Sequence, residues 1–224
     1  TSPTILRLTN ASFSAYLTEL MLGICDNTGS WGGGNGELNL VSSTLIALDV
    51  SGPIRVGQAS NTYSGKALGY LRLPGGTASC GSLLVGGTNA TFSYGLVELC
   101  GTRLTISNQV TVEATGVITC RVQGAAAGLD LASSDTNSLR LIPNGALYIA
   151  FESNPIDRSY DYWGLRMAGD QRAFFSSLTN SAKLQWSTNG MSARYADLVG
   201  IYYDLVSTYV GLPRVPRGTL FRYR

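Results

Sequence analysis

CGSLLVGGTNATFSYGLVELCGTRLTISNQVTVEATGVITC, residues 80–120, sets Cys80, Cys100 and Cys120 at equal intervals of twenty residues. The segments between them are short, alternate in polarity and are broken by Gly, Ser, Thr and Asn. A repeat of about that length is what one coil of a β-solenoid needs, so that one wall position recurs coil after coil. Alternation alone suits an antiparallel sandwich equally well, and the even spacing is what points to parallel coils.

The same texture extends from Val41 to Phe151. Leu71 and Leu73 flank Arg72, Leu104 and Ile106 flank Thr105, Val110 and Val112 flank Thr111, and Leu147, Ile149 and Phe151 alternate with Tyr148 and Ala150. Such runs have the period of strands with one buried face. Gly75-Gly76, Gly86-Gly87, Ser107-Asn108 and Asn144-Gly145 punctuate them, residues that accept the positive φ of a solenoid corner. The expected fold is all-β, a parallel β-helix (solenoid). Residues 1–40 form an N-terminal strand and cap, 41–151 the β-helix core, and 152–224 a mixed C-terminal capping region with a basic extended tail.

The N-terminal ILRLTNASFSAYLTELMLGICD reads as a strand from Ile5 to Leu8, followed by a second strand or a short amphipathic helix around Ser14 to Leu22. It suits a cap, because an uncovered solenoid end presents unpaired backbone and apolar side chains. SWGGGNGEL after it reads as a flexible loop. Beyond Glu152, Asp170 is placed to cap a short helix from Ala173 to Leu178, with Phe174, Phe175 and Leu178 on one side. LQW and GIYYDLVSTYVGL are strand-like. The closing GLPRVPRGTLFRYR carries Arg214, Arg217, Arg222 and Arg224 with no acid after Asp204.

Charged residues make up 13% of the chain, against roughly 25% in an average soluble protein. The surface therefore relies on hydroxyls, amides and glycine, a trait of exported β-proteins and of proteins that pack against their own copies. A net charge of +2 from sixteen basic and fourteen acidic residues is too even for a nucleic-acid binder. No apolar run approaches the roughly 18 residues of a membrane span, and the opening Thr1 suits a processed, exported product.

Four cysteines form an even set, as a disulfide framework in an oxidising compartment requires. Coils about 4.8 Å apart bring vertically adjacent thiols within bridging range. The favoured pairing is Cys100 with Cys120 and Cys25 with Cys80; the alternative is four buried free thiols acting as small apolar fillers.

The chain has no histidine, which removes Ser-His-Asp and Cys-His nucleophile schemes, histidine-ligated metals and the commonest neutral-pH base. Asp130 with Asp135, or Asp157 with Asp161, offers a carboxylate pair for glycoside chemistry, but each lies in a turn-like context where Asp serves backbone N–H groups. The chain is accordingly expected not to be an enzyme. GGGNG at 32–36 lacks the Lys-Ser/Thr ending of a phosphate loop, and Leu38 stands where a calcium-binding glycine repeat needs aspartate. No cofactor or metal is expected. Asn10-Ala11-Ser12 and Asn89-Ala90-Thr91 are glycosylation acceptor sequences.

GSLLVGGTNATFSYGLVELCG and TRLTISNQVTVEATGVITC, followed by LRLIPNGALYIAF, resemble coils of autotransporter passenger domains and related bacterial surface proteins. FFSSLTNSAKLQWS and DLVSTYVGL are similar to the closing segments of such proteins. The resemblance implies a right-handed parallel β-helix, export, and a role in adhesion, surface layering or fibre formation. The chain departs from that pattern in being short, in carrying cysteines and in showing no C-terminal membrane barrel.

The expected function is that of an extracellular or cell-surface structural protein, a subunit of a filament or coat. Its partners are copies of itself, joined head to tail by a terminal strand that completes a neighbour's sheet edge. Ile5, Leu6 and Leu8 at one end and Tyr202, Tyr203, Tyr209, Leu220, Phe221, Arg222, Tyr223 and Arg224 at the other are the expected assembly residues. The alternative is a monomeric adhesin that binds surface glycans by stacking Trp31, Trp163, Trp186 and surface tyrosines on sugar rings.

Overall fold

The computed structural model describes residues 4–25, 34–59, 66–88, 93–123, 127–155 and 162–213. In chain order the strands are β1 (Thr4–Leu17), β2 (Leu20–Leu22), β3 (Gly34–Val56), β4 (Ala67–Pro74), β5 (Thr77–Val85), β6 (Ser93–Cys100), β7 (Arg103–Val112), β8 (Gly116–Val122), β9 (Gly128–Leu131) and β10 (Leu139–Leu141). They continue with β11 (Ala146–Phe151), β12 (Trp163–Ala168), β13 (Leu184–Ser187), β14 (Gly200–Tyr203) and β15 (Ser207–Gly211); helices α1 (Arg172–Asn180) and α2 (Ala193–Ala196) lie among the last of these.

Their pairing makes a parallel β-solenoid of about four turns. On the first wall, the early part of β3 is followed by β4, β6, β8, β11 and β13, all parallel. The second wall stacks the middle of β3, the first half of β5, the first half of β7, then β9 and β12. A third, narrower wall stacks β2, the end of β3, the ends of β5 and β7, and β10. The register shifts between Val50 and Pro53 and between Cys80 and Ser82 mark where one long strand turns from the second wall onto the third.

Alternation places one apolar row after another inside this tube. Leu38, Leu71, Val97, Ile118, Leu147 and Leu184 are successive register partners on the first wall, and all are buried. Leu48, Ala78, Leu104, Leu129 and Leu165 repeat the pattern on the second wall, and Ile54, Leu83, Val110 and Leu139 on the third. Each coil shields the apolar side chains of the next, at roughly 25 cal/mol per Å² removed from water.

The third wall turns back to the first at close-packed glycine corners. Leu22-Gly23, Val56-Gly57 and Val85-Gly86 each end the third wall with a glycine at φ between 63° and 73°. Opposite them, Gly36, Gly69, Gly95 and Gly116 are register partners on the first wall. A Cβ on Gly95 would be driven into the Val56 carbonyl and the Gly86 amide, and one on Gly69 into the Gly57 amide. The recurring signature is therefore an apolar-x-apolar-Gly tetrad, LMLG, IRVG and LLVG, at unequal intervals.

The N-terminal segment is strand over Thr4–Leu17 and pairs in parallel with β3, so it is the outermost layer of the stack itself. Within SWGGGNGEL, the described residues from Gly34 on are strand and not the expected loop: Gly34, Asn35 and Gly36 pair with Ala67, Leu68 and Gly69, while 30–33 lie outside the described residues. Parallel pairing is present on both sides of residues 41 and 151 and reaches β13. At the far end β15 and β14 add antiparallel strands to β12. Helix α1 buries Phe175 and Leu178 with Phe174 packed beside them, as its pattern predicts. Its N-cap is Gln171, while Asp170 one residue earlier accepts from the Arg172 amide (3.3 Å) and guanidinium (2.9 and 2.8 Å).

No disulfide forms among the four cysteines, which are free thiols. The expected pairs fail on register. In the β6–β8 ladder Cys100 stands across from Arg121 and Cys120 across from Leu99, which puts the two thiols on opposite sides of the wall. Cys80 lies on the second wall between Val50 and Ile106, whereas Cys25 bridges to Ala59 beyond the third wall's corner. Burial pushes the Cys80 and Cys120 thiols up to about 12. Half-buried Cys100 is also raised, by burial first and then by Glu98. The cysteines act as the small apolar fillers of the alternative reading and carry no argument for an oxidising compartment.

Candidate functional site

The two ends of the stack are unlike each other. At the N-terminal end β1 runs for 14 residues and, among the described residues, pairs with no strand but β3. A parallel strand bonded on one side directs alternate N–H and C=O groups to the other, so β1 offers a long row of backbone donors and acceptors. Ile5 and Leu6 lie in that strand opposite Glu37 and Leu38, and Leu8 follows two residues on. Asn10 lies in the same strand.

Apolar surface surrounds this edge. Phe13, Ala15 and Leu20 are only partly buried against the core, while Tyr16 is 77% exposed and Met21 42%. Beside them Tyr16, Leu17, Thr18, Asp49, Val50, Ser51 and Ser79 line a depression of about 380 Å³. Two hydrogen bonds hold residues about it, one of backbone and one of side chains: the Gly52 amide donates to the Thr18 carbonyl (2.8 Å), and Ser79 Oγ donates to Asp49 Oδ1 (2.8 Å).

The C-terminal end is closed by contrast. Among the described residues, the last strand on the first wall, β13, and the last on the second, β14, have four residues each. Short edges with a helix beside them are what natural sheets use to discourage further pairing. Tyr202, Tyr203 and Tyr209 serve this closure from within their own chain. Tyr209 is 7% exposed, and its ring lies 6.0 Å from that of Tyr202, whose hydroxyl donates to the Leu198 carbonyl (2.6 Å). Tyr203 lies under the Arg172 guanidinium, 5.5 Å away. Buried Tyr209 therefore presents no surface to a partner. Leu220, Phe221, Arg222, Tyr223 and Arg224 lie outside the described residues.

Other sequence candidates separate in the same way. Asp130 is buried on β9 and ion-paired to Arg103, with Arg166 at 3.7 Å, whereas Asp135 accepts from the Asn137 amide (2.9 Å) at the start of a short turn. The two carboxylates do different structural jobs. Asp157, Asp161, Trp31 and Asn89 lie outside the described residues. Trp163 is buried, with Arg103 over its ring at 5.4 Å, and offers no open face for a sugar, whereas Trp186 is half-buried against the core. Among the described residues no group of three or more Cys, Asp and Glu gathers as metal ligands, and no helix is long and apolar enough to cross a membrane.

One surface was not singled out from sequence. On the outer side of the first wall Glu37, Tyr70 and Leu96 are successive register partners, as are Asn39, Arg72 and Glu98. They enclose a second depression, of about 340 Å³, lined by Glu37, Tyr70, Arg72, Leu96 and Glu98. The readable signal was the outward half of each alternation: Tyr70 and Arg72 in GYLRL, and Tyr94, Leu96 and Glu98 in SYGLVEL.

No protein-family model, curated protein or solved structure matches the chain. The solenoid stands on its own pairing, and membership of the passenger-domain family is not shown by any relative.

Proposed function

We propose that this chain is a non-enzymatic structural subunit of an extracellular filament or surface coat, joined to copies of itself at the N-terminal edge of its stack. The observation that carries this reading is the contrast between a 14-residue edge at β1 and four-residue edges on β13 and β14. A closed C-terminal end disfavours coaxial stacking of one tube on the next, so the donor is an extended segment. The stretch 213–224, extended and basic by sequence, fits that role with Leu220, Phe221 and Tyr223 as anchors. A strand added to one edge and donated from the other end is a heterologous contact, which propagates into open filaments. Export and surface location belong to the same proposal and are supported by the low-charge, hydroxyl-rich composition and the textural likeness to passenger domains.

Deleting residues 213–224 tests it directly. The full chain is expected to form filaments in electron micrographs and the shortened chain to remain a folded monomer; undiminished filaments after the deletion would remove the tail from the account.

A further inference from the structure

We propose that the outer depression on the first wall is a binding site for a neutral hexopyranose chain, independent of assembly at the N-terminal edge. Tyr70 lines it, and at its margin, two residues before Leu96 on β6, stands Tyr94, whose ring centroid lies 6.0 Å from that of Tyr70 at 55° and which is 37% exposed. A pyranose ring has an apolar C–H face and a rim of hydroxyls, the counterpart of a half-open phenol ring with polar groups about it. Those groups are present: the Glu37 and Glu98 carboxylates accept and the Arg72 guanidinium donates, with Asn39 bonded to Glu37 beside them.

These polar groups are already oriented. Asn39 Nδ2 donates to Glu37 Oε1 (3.0 Å), and Arg72 is ion-paired with Glu98 across adjacent strands. They are seated on paired backbone, with β4 held between β3 and β6, so little ordering remains to be done on binding. The volume of about 340 Å³ is at the small end of ligand sites and suits one or two sugar rings.

Other ligand classes fit less well. Two carboxylates against the single Arg72 disfavour a polyanion. An extended peptide adds to a free strand edge, and the strands that line this depression offer none, since β3, β4 and β6 are each paired on both sides. A quaternary ammonium would also favour tyrosines and carboxylates, but Arg72 already supplies the local cation.

Isothermal titration of the full chain with cellohexaose, maltohexaose, chitohexaose and tetramethylammonium tests the assignment. At least one oligosaccharide is expected to bind saturably, with Kd of about 0.1–1 mM. Tyr94→Ala is expected to weaken it at least about tenfold, and Glu37→Gln, which keeps the side-chain shape, several-fold. Tyr16→Ala, opposite Asp49 on the second wall, is expected to leave it unchanged. No saturable oligosaccharide binding up to about 10 mM, equal affinity in the Tyr94→Ala chain, or saturation by tetramethylammonium alone would each overturn the site.

Discussion

Cys120 stands directly across from Leu99 in the β6–β8 ladder, one position out of line with Cys100. Because side chains alternate, that single step sends Cys120 into the core row Leu73, Leu99, Cys120, Ile149 and leaves Cys100 on the outer surface beside Pro74 and Arg121. Mass spectrometry after alkylation in denaturant, without reductant, is expected to find four modified thiols. In the native protein Cys100 reacts first and Cys80 and Cys120 are protected, since the reactive species is the thiolate and burial holds their pKa near 12. A peptide linking Cys100 to Cys120 would contradict the register.

The glycine corner makes a sharp comparison between two substitutions. Gly95→Ala forces a Cβ into the Val56 carbonyl and the Gly86 amide, and backbone on both sides leaves nowhere to move. A loss of several kcal/mol, or failure to fold, is expected. Gly75→Ala, at φ 68° with nothing within 4 Å of the new Cβ, costs only the left-handed strain, about 1–2 kcal/mol. Urea midpoints of the two variants check the order; equal losses would mean that the corner is not close-packed.

Leu99→Ala removes a fully buried member of the first wall's inner row and leaves a cavity bordered by Leu73 and Cys120. Such truncations cost about 2–5 kcal/mol. The outward-facing Thr119→Ala, one residue from Cys120, is expected to change stability by less than about 0.5 kcal/mol. Denaturant curves for the pair distinguish inner from outer positions.

These comparisons explain how the sequence was readable in part. Two-faced strands follow from the period of two, so Leu71, Leu73, Leu104, Ile106, Leu147 and Ile149 are all found inside. The cysteine spacing points to parallel pairing, which the ladders have, but the cysteines themselves do not follow the coils. Cys80 lies on the second wall and Cys100 and Cys120 on opposite sides of the first, so the thiols mark no repeat. The informative repeat was LMLG, IRVG and LLVG, hidden by insertions that change the length of each coil. At the site, β1 was legible as a strand, but no one-dimensional pattern distinguishes an edge from an interior strand. Nor does it show that Tyr209 is spent on closing its own end.

Glu152 provides a pH test. Burial by itself would raise its carboxyl, but hydrogen bonds from Gln123 (2.8 Å) and Arg121 (2.6 Å), with the Arg121 charge, hold it below the ordinary value of about 4.5. A depressed folded-state pKa contributes stability that is complete above the unfolded value and is lost as pH falls through the folded one. Screening at this partly exposed pair limits the contribution to about 0.5–1 kcal/mol. Below about pH 4.5 the wild-type chain is expected to lose that amount more than Glu152→Gln does, measured by chemical denaturation across pH. Parallel pH profiles would show that the pair contributes nothing.

Assembly at the N-terminal edge is tested most directly by hydrogen exchange of residues 4–22, followed from dilute to concentrated protein. Amides of β1 that point away from β3 are expected to exchange rapidly when dilute and to gain protection as concentration rises, while those of β6 and β8 remain protected throughout. Exchange in β1 that is independent of concentration, over the range in which particle size is seen to grow, would contradict the account.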